Sequence, residues 1–245
     1  MRVRSPAPIL DSALARAAAL VHRLLAVGAW TLVACSPTVA AGLALGGDVT
    51  NVPLLGVAAL PVGPAVAAAL SALAAHRPDL ADLHPAADFR RGYRLVFGRA
   101  VRLWAPFLAL LTIVAINLTH LDVAGVPGWW AVPLALIGVT ACLWVAVALT
   151  LVALSPGPVP ADAAEPVPAD AAEPVPAGAA EPASVIARRA ARLLMARPGV
   201  TLAVAWLLVV AAGVTLAWSE AALLIAAPLL LFALLEIVRR GHNVR

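Results

Sequence analysis

The densest group of chemically capable side chains is His76, Asp79, Asp82, His84 and Asp88. Imidazole and carboxylate at short spacing can ligate a divalent metal. Their intervals match no metal motif, and Arg77 and Arg90 stand beside the acids as counter-charges. A solvated loop is the reading, with no metal site and no cofactor expected. The second group is cationic: Arg90, Arg91, Arg94, Arg99 and Arg102, then Arg188, Arg189 and Arg192. Guanidinium is permanently charged and presents a planar fork of donors suited to phosphate and carboxylate. Contact with lipid headgroups or with a partner protein is the chemistry these residues offer. Lysine is absent from the chain. That excludes a P-loop lysine, a Schiff-base lysine and a Ser–Lys dyad. With no nucleophile–base pair or metalloprotease motif in sight, the chain is not expected to be an enzyme.

The elements that carry these residues follow from composition. The chain has 245 residues, of which 63% are hydrophobic and 12% charged. Its mean hydropathy is +0.96. A soluble domain is about half apolar and about a quarter charged, and it needs a charged skin. A soluble enzyme, a disordered chain and a disulfide scaffold are therefore excluded, and a multi-pass membrane protein is indicated. Six apolar runs are long enough to span a bilayer: 24–45, 52–75, 103–121, 129–154, 199–218 and 221–238. The fold expected is an all-α transmembrane bundle of six spans. Around it lie a segment 1–23, a linker 155–183, a basic stretch 184–198 and a tail 239–245.

Charge placement tests that map separately from hydropathy. All 17 basic residues are arginines. Every one falls before the first span, between the second and third, between the fourth and fifth, or after the sixth. The intervening turns at Asp48, Asp122 and Glu220 have none. Under the positive-inside rule both termini are cytoplasmic. The Ala richness and the lack of lysine suggest a GC-rich bacterial coding sequence, hence the inner membrane, and the Arg distribution speaks for lipid rather than nucleic acid as the partner surface. Trp104, Trp129, Trp130 and Trp218 fall at predicted span ends, where indole favours the headgroup region. Trp30, Trp144 and Trp206 lie in span interiors, where packing is the default. Cys35 and Cys142 sit in apolar runs as small fillers. Leu32-Val33-Ala34-Cys35 also has the form of a lipoprotein cleavage box, but more membrane follows it, which favours a plain first span.

On a helix, Phe89, Tyr93, Val96, Phe97, Ala100 and Trp104 share one face, and Arg91, Arg94, Arg99 and Arg102 the other. Residues 86–102 are therefore expected to form an interfacial elbow, apolar side in the lipid boundary and arginines at headgroups. A shorter version runs from Ile186 to Arg197. Each elbow leads into a span, so the chain can be read as two related three-span halves. Residues 158–181 repeat PVPADAAE, PVPADAAE and PVPAGAAE. Proline every few residues forbids a continuous helix. At about 3.1 Å per residue this acidic tether reaches roughly 75 Å. It reads as a solvated linker, or as a tail for a partner or for the arginines after it.

Leu60-Pro61-Val62-Gly63-Pro64-Ala65-Val66-Ala67-Ala68-Ala69-Leu70 resembles the Pro-rich, Gly-Pro-Ala, Ala-Leu stretch of YesL-like bacterial membrane proteins. The basic aromatic segment from Phe89 to Phe97, with Trp104, Trp30 and Pro37, is similar to that family's pattern. The resemblance covers residues 24–121; the rest matches mainly in span layout, and the repeat is not part of it. The family is a domain of unknown function whose members are often encoded beside carbohydrate ABC transporters. It implies a non-enzymatic accessory role in sugar uptake, with permease or ATPase subunits as partners, and assigns no catalytic residue. The alternative is a stand-alone small-solute transporter with its pathway between the two halves. Pro61, Gly63 and Pro64 are expected to shape the second span: proline breaks the hydrogen-bond ladder and glycine admits close approach. A broken span that offers backbone groups to a substrate is the other reading of those residues.

Overall fold

A computed structural model describes residues 13–45, 49–75, 85–121, 123–155, 181–217 and 220–243. The PVPADAAE repeat through residue 180, the stretch from His76 to His84, and Arg2 and Arg4 lie outside them. The described residues are helical, with short turns, and contain no strand. The order is α1 (Ala13–Leu45), α2 (Val52–Ala58), α3 (Val62–Ala74), α4 (Pro85–Thr119), α5 (Ala131–Leu154), α6 (Ala183–Ala196), α7 (Pro198–Ala217) and α8 (Glu220–Asn243). Four segments are long and apolar enough to cross a membrane: Ala17–Leu45, Val52–Ala74, Ala86–Thr119 and Gly128–Leu154. The pair α6 and α7, taken as one bent span, makes a fifth. The protein is thus an all-α, multi-pass membrane protein by length and composition.

The core is built on α3. Ala67, Ala68, Ala69 and Leu70 are fully buried, and Ala72 nearly so. Methyl-sized side chains let α4 approach closely, which is where helices in lipid gain their packing attraction. Gly92 of α4 lies against Ser71 and the Ala68 carbonyl. That contact explains a glycine that composition alone marks as a weakness in the helix. On the other side Gly28 of α1 accommodates Pro228 of α8; a Cβ at residue 28 would lie 2.6 Å from the proline ring. Gly241 accommodates Val200 in the same way and joins the end of α8 to the start of α7.

The expected elbow over 86–102 is instead the first half of one continuous helix. α4 runs 35 residues without interruption. Gly92 and Gly98 are tolerated, and Pro106 removes a single ladder bond. At 1.5 Å per residue α4 is about 52 Å long, against about 30 Å of hydrocarbon. Its arginine-rich half and its apolar half thus belong to one helix longer than the hydrocarbon is thick. The second basic stretch does bend. α6 and α7 meet at 101°, because Pro198 keeps Arg197 out of the helical region at φ −133°, ψ 81°. Thr201 donates to the Leu194 carbonyl across that bend at 2.7 Å.

Polar groups inside the apolar helices are satisfied locally, as lipid requires. Thr31, Asn117, Thr140 and Thr150 each donate to the carbonyl four residues back. Pro37 has no N–H for the Val33 carbonyl, and the Ser36 hydroxyl takes its place at 2.8 Å.

Candidate functional site at the arginine-bearing end

The second span is broken where the sequence places Pro61, Gly63 and Pro64. α2 ends at Ala58, α3 begins at Val62, and Ala59 to Pro61 form a turn between them. The exposed carbonyls of a break at membrane depth need partners. Two neighbouring helices provide them. Thr38 of α1 donates to the Ala58 carbonyl at 2.7 Å. The Trp104 indole N–H of α4 donates to the Ala59 carbonyl at 2.9 Å. Gly63 makes room for that indole: a Cβ there would stand 2.3 Å from its ring. Trp104 is therefore a clamp on the break rather than a headgroup anchor. These two carbonyls are occupied by the protein's own side chains, so the break is a built kink. Trp129 and Trp130 are exposed and stacked at 4.8 Å between ring centroids, just before α5. Trp206 is 70% exposed and faces outward instead of packing inside.

The arginine-bearing helix ends meet. Arg23 of α1 donates to the Ala72 carbonyl at the end of α3 and pairs with Asp88 at the start of α4 at 3.4 Å. That engages Asp88, the one described member of the His76–Asp88 group. Glu181, the last residue of the third repeat, pairs with Arg189 at 3.6 Å and accepts from Ser155 at 3.5 Å. The Trp144 indole donates to the Ala187 carbonyl at 3.2 Å, fixing α6 on α5. Among the described residues, no three His, Cys, Asp or Glu side chains assemble as a metal-ligand set.

Arg90, Arg91, Arg94, Arg102, Arg188 and Arg192 are exposed. Arg189 is half-buried. Arg99 departs from the expected basic face: it is only 8% exposed, on the same stripe of α4 as Val96, Ala100 and Leu103. The helical wheel misplaces it because 96, 99, 100 and 103 form a true three-and-four repeat, and its charge obscures that periodicity. Both terminal nitrogens of Arg99 are buried with no hydrogen-bond partner among the described residues.

Two concave spaces accompany these arginines. Between α1 and α4 a groove of about 320 Å³ is lined by Trp30, Val33, Phe89, Arg90, Tyr93 and Arg94. Its aromatic wall is a ladder, with Phe89 and Tyr93 stacked at 6.2 Å and Tyr93 against Phe97 at 5.4 Å. A second space of about 260 Å³ lies between α5, α6, the bend at Arg197 and α8, around Arg189, Arg192 and Arg197. Arg197 did not stand out from the sequence; its signal is Pro198, which places the bend at Arg197. A third groove, of about 310 Å³ between α1, α3 and α8, is apolar, with Thr31 and Cys35 its polar side chains.

Comparison with protein-family models, curated proteins and solved structures finds no match for this chain.

Proposed function

We propose that this chain is a six-span bacterial inner-membrane protein with both termini in the cytoplasm. It acts as a non-enzymatic accessory component of carbohydrate ABC uptake. The six-span count takes α7 and α8 as separate crossings: they have 20 and 24 residues, about 30 and 36 Å at 1.5 Å per residue. The first half of α4 and the adjoining α6 then form a cytoplasmic platform. The observation that supports the reading is the exposure of the guanidiniums at Arg90, Arg91, Arg94, Arg102, Arg188 and Arg192 on α4 and α6. Such a surface suits acidic partner segments, because guanidinium pairs with carboxylate in a fixed fork geometry. The transporter alternative has less support. The α1–α3–α8 groove is lined by apolar side chains with only a hydroxyl and a thiol, and a polar solute would leave its hydroxyls unpaired there.

The test is recovery of partners in mild detergent. Permease or ATPase subunits are expected to co-purify with the protein. Replacing Arg90, Arg91 and Arg94 together by Gln is expected to lower that recovery roughly tenfold, the effect of losing about 1.4 kcal/mol, with membrane insertion unchanged. If no transporter subunit co-purifies and the protein alone moves a sugar into proteoliposomes, the accessory reading fails and the transporter reading replaces it.

A further inference from the structure

The space between α5, α6 and α8 brings three guanidiniums to one place. Arg189 and Arg192 are three residues apart on α6 and line one face. Arg197 joins them from the bend, where its backbone N–H is held by the Leu193 carbonyl at 3.1 Å. Leu151, Leu193 and Gly241 complete the wall. An anion entering this space meets three guanidiniums at once, and guanidinium forks bind phosphate and carboxylate oxygens. Glu181 already approaches from one side, on Arg189.

Depth and surroundings define the anion. Pro198 starts an apolar helix, and on the six-span reading, on which this inference rests, Arg197 stands at the level where hydrocarbon meets headgroups. Met195 and Leu202, flanking the bend, are 85% and 71% exposed. Exposed apolar side chains at that level suit acyl chains, while the guanidiniums suit a phosphate ester. We propose that Arg189, Arg192 and Arg197 form a seat for a phosphate ester group, carried by an anionic phospholipid headgroup. The seat shares Arg192 with the proposed partner surface but not Arg90, Arg91 and Arg94, so its test and the partner-recovery test fail separately. Glu181 competes at the edge of the seat, so the lipid phosphate and the last glutamate of the acidic repeat exclude each other on Arg189.

The full chain, reconstituted in nanodiscs, tests this. Its thermal midpoint, read by tryptophan fluorescence, is compared in phosphatidylcholine alone and in equal parts phosphatidylcholine and phosphatidylglycerol. The lipid retained after detergent extraction is measured by native mass spectrometry. Phosphatidylglycerol is expected to raise the midpoint and to be retained. The triple variant R189Q/R192Q/R197Q is expected to lose the rise and to retain roughly tenfold less phosphatidylglycerol. R239Q/R240Q, which removes two exposed charges outside the seat, is expected to behave as the parent. Should the triple variant not fold, R192Q alone is expected to shrink the rise, and Glu181→Gln to enlarge it. A full rise in R192Q or the triple variant, an equal loss in R239Q/R240Q, or a smaller rise in Glu181→Gln overturns the seat. Inorganic phosphate raising the midpoint in pure phosphatidylcholine as much as phosphatidylglycerol does, and only with the three arginines intact, supports a phosphate seat and overturns the lipid as its source.

Discussion

Replacing Gly63 by Leu is expected to abolish recovery of a monodisperse protein from detergent, and replacing it by Ala to lower the thermal midpoint sharply. A Cβ at residue 63 would lie 2.3 Å from Cγ of Trp104, 2.6 Å from Cδ2 and 2.7 Å from Cβ. The clash reaches the root of the indole, which cannot swing aside as the tip of a flexible chain can. Forcing the indole away also withdraws its N–H from the Ala59 carbonyl. Overpacking costs about 1–3 kcal/mol and the lost hydrogen bond about 0.5–1.5 kcal/mol more, the Ala59 carbonyl keeping the Val62 N–H at 3.1 Å. Trp104→Phe separates the two terms, since it keeps most of the ring and removes the donor; about 1–2 kcal/mol is expected. Gly98→Ala, in the same helix with open space at its Cβ, is the control. It is expected to stabilise by up to about 1 kcal/mol through helix propensity. A Gly63→Ala midpoint equal to that of Gly98→Ala would refute the clamp.

Arg99→Met is expected to raise stability, the opposite of what removing a partnered ion does. Arg99 is buried on the α4 stripe of Val96, Ala100 and Leu103, both terminal nitrogens lack a hydrogen-bond partner among the described residues, and the attraction of Glu181 is outweighed by the loss of solvent. Burying an ion without hydrogen bonds costs several kcal/mol. Methionine fills similar space and adapts its shape. The gain expected is about 1–3 kcal/mol, by analogy with apolar replacement of buried ions. Thermal inactivation half-life in detergent is the measurement, because membrane proteins seldom refold on cooling. A shorter half-life in Arg99→Met would mean that the attraction of Glu181 outweighs the cost of burying the guanidinium.

How much of this was legible in the residues depends on the signal that carried it. Apolar run length and the one-sided arginines pointed to a helical multi-pass bundle, because bilayer thickness leaves few other ways to bury such runs. Pro61 and Pro64 marked the break in the second span, since a missing N–H is a local property. What holds the break was hidden. Thr38 lies 20 residues before Ala58, and Trp104 lies 45 after Ala59, and nothing in their own neighbourhoods announces either bond. Trp104 reads as an interfacial anchor by position, yet Gly63 turns it inward. The continuity of α4 is hidden by the change of composition from basic to apolar at residue 103, which resembles a boundary between two elements. Composition alters along a straight helix without bending it. The bend came at Arg197, where Pro198 supplies a steric cause. The seat around Arg197 depends on α5, α6 and α8 converging on the bend, which no single stretch of sequence encodes.

The placement of every arginine on one side of the bilayer is tested most directly by reporter insertion. Alkaline phosphatase and green fluorescent protein are inserted in separate fusions after Gly47, Asp122 and Ser219, within the 158–181 repeat, and after Arg245. The six-span account predicts phosphatase activity without fluorescence at Gly47, Asp122 and Ser219, and fluorescence without phosphatase activity in the repeat and after Arg245. Fluorescence at Ser219, or phosphatase activity in the repeat, would contradict it.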